Sequence, residues 1–130
     1  MRVQMRLSRP AVVAMQKYKI IKFNDPNAKV TSGYLVGMAW KSIKSKAVQI
    51  DWPKVNSAYI PNVTDNNDMS IDGLQTALNL EMSVLQDIEY LQKKFIDIFE
   101  TKKIFKPFVI KLILFAAILG EQGTLYEKTE

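Results

Sequence analysis

Seven lysines are threaded among four aromatic residues in the first half of the chain. Lys17, Lys19, Lys22, Lys29, Lys41, Lys44 and Lys46 stand among Tyr18, Phe23, Tyr34 and Trp40. Ammonium groups attract phosphates or carboxylates, and aromatic faces between them stack on flat groups, which is how single strands are gripped without reading their sequence. Lys17, Lys19, Lys22, Tyr34, Trp40, Lys41, Lys44 and Lys46 are therefore the candidate partner-binding residues. The competing reading is that Tyr18, Tyr34 and Trp40 face inward as core.

Other chemistries are poorly supplied. The chain has no histidine, so the commonest general base and metal ligand is missing. It has no cysteine, so disulfides, thiolate zinc sites and iron–sulfur clusters are excluded. The carboxylates are scattered without a clear pair. The glycines Gly33 and Gly37 lack the Gly-Lys-Ser/Thr ending of a phosphate loop, and no serine sits in a nucleophile elbow. No cofactor is expected, and an enzyme is disfavoured.

The net charge of +5 conceals an uneven distribution. Residues 1–50 carry ten Lys or Arg against Asp25 alone, whereas residues 51–130 carry eight Lys against twelve acids. Such a split suits a basic face for an acidic partner, or two halves that attract one another.

These side chains need elements to hold them. Residues 1–10 alternate Arg2, Arg6 and Arg9 with Val3, Met5 and Leu7, which reads as an N-terminal strand or basic arm. A mitochondrial presequence fragment is the alternative, and there is no secretory h-region. Residues 12–23 read as a strand, with Tyr18 and Ile20 on one side and Lys17 and Lys19 on the other. Asn24-Asp25-Pro26-Asn27 signals a turn. Residues 30–40 alternate cleanly and read as a half-buried strand; a helix over 33–45, aligning Leu35, Ala39 and Ile43, competes. Residues 47–52 give a third strand, stopped by Pro53.

Residues 53–69 are rich in Pro, Asn, Asp and Ser and predict a loop. Residues 70–103 predict one long amphipathic helix capped by Ser70, its apolar stripe broken by Glu81 and Gln92. Pro107 suits the first turn of a second helix over 108–119, apolar except for Lys111 and stopped by Gly120. At thirteen residues, 108–120 falls short of the about 20 a bilayer needs, so a core helix between the long helix and the sheet is expected rather than a span. A turn near Ile104 would set Lys111 opposite Asp97 or Glu100, predicting a pair with one of these or a side chain reaching solvent.

One resemblance is carried by three segments. LQTALNLEMSV at residues 74–84 resembles the start of the third helix of ferritin-like proteins, ILGEQ at 118–122 part of the fourth, and AVQI at 47–50 the segment before their long loop. It covers residues 46–127 at most. The resemblance implies an all-α helix pair with Glu81, and Gln122 beside it, at positions that family uses around its di-iron centre. The Glu-x-x-His ligand motif is absent, so it implies a degenerate relative without ferroxidase activity.

The expected architecture is a single α+β domain over residues 1–130. It comprises a basic half of about three antiparallel strands (11–52), a loop (53–69), a helical hairpin (70–120) and a polar tail (121–130). The expected function is that of a non-enzymatic, intracellular binding or assembly protein, cytoplasmic in the first instance. It would engage an acidic protein or nucleic acid through residues 1–50 and form homo- or hetero-oligomers through its hairpin. No metal site is expected unless Glu81 serves the ferritin-like role.

Overall fold

In the computed structural model, which describes residues 1–128, two strands and five helices share one core. The order is β1 (Arg2–Leu7), α1 (Arg9–Phe23), α2 (Ser32–Ile43), a 3-10 turn (Lys44–Lys46), α3 (Trp52–Asn56), β2 (Leu74–Asn79), α4 (Met82–Ile98) and α5 (Lys106–Glu121). The class is α+β, with one two-stranded antiparallel sheet in place of the expected three strands or the all-α alternative.

Of the two readings open for residues 1–10, strand or basic arm, β1 is the strand. Met5 and Leu7 are buried, Val3 is half-buried, and Arg2, Gln4 and Arg6 face out. It pairs with β2 from Arg2 opposite Asn79 to Leu7 opposite Leu74. The terminal ammonium donates to the Leu80 carbonyl at 2.8 Å, and the Leu80 N–H returns a bond to Met1.

Residues 12–23 are helix, correcting the strand reading. Ala11, Ala14, Met15 and Tyr18 recur at three- and four-residue spacing, and all are buried against the rest of the core. The start signal lies upstream: Ser8 Oγ accepts from the Ala11 N–H, and Pro10 occupies the first turn. Asn24 ends α1 in the left-handed region at φ 52°.

Residues 30–40 are also not a strand; the competing helix forms instead, capped by Thr31, whose Oγ1 accepts from the Tyr34 N–H at 3.1 Å. Leu35, Val36, Ala39, Trp40 and Ile43 then share the buried side. The third expected strand, 47–52, is turns plus one isolated bridge from Ile50 to Glu127. Pro53 does not stop a strand there but opens α3, which Asp51 caps.

The long helix over 70–103 is shortened at both ends to Met82–Ile98. Leu74, Thr76 and Leu78 have strand spacing as well as helical spacing, and β1 presents an edge that residues 74–79 satisfy. Ser70 caps no helix; it donates to Asp68. After α4 the chain turns through Glu100 at φ 51°, and the Thr101 N–H reaches back to the Ile96 carbonyl at 3.0 Å. Gln92 secures the return by donating to the Ile104 carbonyl at 2.9 Å.

α5 is the hub. Val109, Ile110 and every residue from Leu112 to Leu119 are buried, because α1, α2, α3, α4 and β1 all pack on it. It therefore meets both the long helix and the sheet, and α1, α2 and α3 besides. Gly120 does not end it, and Gly123 is the glycine with positive φ. At its start Phe95, Phe99, Phe108 and Trp52 form a cluster of tilted and edge-on ring pairs, with centroids 5.0–6.4 Å apart. The tail is held by a bond from Asp51 N–H to the Tyr126 carbonyl and from Lys128 N–H to Gln49; its last two residues lie outside those described. No helix among the described residues is long and apolar enough to cross a membrane.

Candidate functional site

The lysines of the first half are largely engaged by the acids of the second. Among the described residues five ion pairs form, and four of them cross between the halves. Lys22 meets Glu121 at 2.6 Å, Lys41 meets Glu81 at 2.7 Å, Lys44 meets Asp87 at 3.1 Å and Lys46 meets Glu127 at 4.0 Å. Each is worth little alone at this exposure. Together they link α1, α2 and the 3-10 turn to the start of α4, to α5 and to the tail.

Trp40 is only 4% exposed and joins this arrangement. Its indole N–H donates to Asp87 Oδ2 at 2.9 Å, the same oxygen that Lys44 approaches. Burial pushes the Asp87 carboxyl up, but the bonds from Trp40 and Lys44 outweigh it and hold the group below its ordinary value. Tyr34 is exposed, and with Lys41 and Glu81 it lines a shallow recess of about 160 Å3. Lys17 and Lys19 lie half-exposed on α1 and form no ion pair among the described residues. The eight candidates thus divide among several separate positions, with Trp40 and Lys44 meeting on Asp87 and Tyr34 and Lys41 beside Glu81.

Glu81 is the exposed residue preceding α4, and Lys41 is its partner. The segment 74–84 that resembles a ferritin-like helix is β2 followed by the start of α4. No cluster of three or more potential metal-ligating residues occurs among the described residues.

Lys111 pairs with neither Asp97 nor Glu100. Its ammonium lies over the Phe108 ring at 4.8 Å and the Phe115 ring at 5.8 Å. Desolvation lowers its pKa, and no carboxylate among the described residues pairs with it.

A second group of cations gathers around β1. A groove of about 550 Å3 runs beside the strand, lined by Val3, Gln4, Arg6, Lys103, Phe105 and Lys106 among others. A further recess of about 460 Å3 shares Arg6 and Pro107 with it and continues past Arg9 to Lys111. Asp72 is the one carboxylate lining either among the described residues. Lys106 approaches Glu89 at 3.9 Å, and Arg9 is spent on the loop before β2, donating to Asn66 and to the Ile71 and Asp68 carbonyls. Arg2, Arg6 and Lys103 form no ion pair among the described residues. The arginine alternation of residues 1–10 carried this signal in the sequence, since a strand with Val3, Met5 and Leu7 inward must turn Arg2 and Arg6 outward. Lys103 and Phe105, distant along the chain, carried none.

No family model, no curated protein and no solved structure matches this chain.

Proposed function

We propose that this is a non-enzymatic binding or assembly protein that engages an acidic partner through cations its own fold leaves unneutralised. The observation that carries the reading is the β1 groove and its continuation, where Arg6, Lys103 and Lys111 line the walls without an ion pair and Asp72 is the one lining carboxylate among the described residues. An acidic polypeptide gains charge-assisted contacts at such a surface, whereas a basic one is repelled. The binding face is narrower than residues 1–50 as a whole, because Lys22, Lys41, Lys44 and Lys46 already have carboxylates. A protein partner is favoured over single-stranded nucleic acid because Tyr18 and Trp40 are buried and Phe105 is the one exposed ring lining the groove, too few for successive bases to stack along it.

Binding of labelled poly-glutamate, poly-lysine and a mixed oligonucleotide, each followed by anisotropy at low and high salt, tests this. Poly-glutamate should bind at low salt and weaken as salt rises. Absence of poly-glutamate binding at low salt, or tighter binding of the oligonucleotide, overturns the reading.

A further inference from the structure

β1 uses only one of its two edges. In an antiparallel pair, residues that exchange both backbone bonds alternate with residues whose N–H and C=O point the other way. Met1 and Leu80 exchange both bonds, so the register assigns the exchanging positions to Val3, Met5 and Leu7. The N–H and C=O groups of Arg2, Gln4 and Arg6 therefore point away from β2, and none of them has a backbone partner outside the sheet among the described residues. The groove of about 550 Å3 lies beside this strand, and its far wall is the segment carrying Lys103, Phe105 and Lys106. Phe105 is 61% exposed, and the Lys103 ammonium stands 4.8 Å from its ring centroid.

An unpaired edge is a template for another strand, and proteins protect such edges with charge. Here the charge is all of one sign. Two copies of β1 pairing antiparallel about Gln4 would set Arg2 opposite Arg6 twice, so self-pairing is opposed. The same arginines attract a strand that carries acids at alternate positions. Resting on the proposed function above, we infer that the free edge of β1 is a docking strand for an extended acidic peptide, which adds a third strand to the sheet. Backbone bonds to Arg2, Gln4 and Arg6 would give affinity, and alternate acids facing Arg2 and Arg6 would set the register. The intervening side chains would lie in the groove toward Phe105. The groove continues past Arg6 to Lys111, whose ammonium forms no ion pair among the described residues, so an acid at one end of the peptide has a cation waiting.

The test uses the full chain and a labelled peptide that alternates glutamate with valine, beside a copy N-methylated at the amides that would face β1. Anisotropy should show the unmodified peptide bound at low salt and the N-methylated copy about tenfold weaker, reflecting lost edge hydrogen bonds. Amide exchange at Arg2, Gln4 and Arg6 should slow on binding. Gln4→Pro, which removes an outward N–H while leaving the bonds to β2 in place, should weaken binding similarly with an unchanged circular dichroism spectrum. Equal binding of both peptides without slowed exchange overturns the docking strand while leaving the acidic-partner reading intact. Failure of every acidic probe to bind at low salt overturns both, and so does preference for the oligonucleotide.

Discussion

Gly33, in the first turn of α2, lies directly against the backbone of Asn79 at the end of β2. A Cβ built at Gly33 would fall 2.1 Å from the Asn79 carbonyl oxygen and within 2.9 Å of its amide nitrogen. Backbone cannot yield as a flexible side chain does, so α2 and β2 meet at a distance that only glycine permits. Gly33→Ala should cost about 2 kcal/mol or more in urea denaturation, since it must separate the helix from the sheet. Gly37, one turn on, has only Val84 Cγ2 at 4.0 Å, and Gly37→Ala should raise stability by about 0.5–1 kcal/mol through helix propensity. Equal effects of the two substitutions would show that the close approach is not the cause.

The Trp40–Asp87–Lys44 junction predicts an acid-limb dependence. Asp87 has a folded pKa below its ordinary 3.8, because the bonds from Trp40 and Lys44 exceed the upward push of burial. Between the two values the unfolded chain binds more protons, so the stability it confers is full above the ordinary value and is lost as pH falls through the folded one. Asp87→Ala should cost about 1–2 kcal/mol at neutral pH, because it strands the buried indole N–H. Denaturation midpoints of the wild type and the variant should converge as pH is lowered.

Tyr18 presents the opposite situation. Its ring is fully buried, and its hydroxyl has no hydrogen-bond partner among the described residues. Ser42 stands near, but its own hydroxyl donates to the Ala39 carbonyl at 2.7 Å. Burial raises the Tyr18 pKa. Tyr18→Phe removes an unsatisfied group without changing shape, and thermal denaturation should show a gain of about 1 kcal/mol. A loss of that size would reveal a bond that this geometry does not contain.

Lys111 predicts a basic-limb dependence. Desolvation sets its folded pKa below the unfolded 10.5, so the folded protein binds fewer protons in the interval between them. Stability from this residue should therefore rise as pH climbs through that interval. Lys111→Met should add about 1 kcal/mol at pH 7 and flatten the rise, while weakening any acidic peptide that reaches the end of the groove. A clear loss of stability would mean that the contacts with Phe108 and Phe115 outweigh the desolvation.

Parts of this arrangement were legible in residue types. The alternation of Val3, Met5 and Leu7 with arginines and the apolar run around Leu114 followed from local pattern, whereas the mixed α+β class holds through strands other than the expected ones. The errors at residues 12–23 and 30–40 share one origin. Tyr18 and Trp40 satisfy both a two-residue and a 3.6-residue period over a short window, and the deciding signals, Ser8 with Pro10 and Thr31, lie outside the apolar run. Residues 74–79 went to the long helix because a strand is defined by its partner, and β1 lies more than sixty residues away. Which lysines stand beside a carboxylate is hidden from the sequence for a related reason. Charge count gives the number of cations, but only the packing of α1 and α2 onto α4 and α5 decides which of them already have carboxylates.

The central position of α5 also has a consequence in time. It follows every other helix and both strands in the chain, yet it covers α1, α2, α3 and α4 together. As the polypeptide is made from its N-terminus, β1 waits for β2, and the apolar sides of the earlier helices wait longer still, until residues 106–121 emerge. Nascent chains halted before α5 would expose this surface to chaperones, and completion of that one segment would release them together.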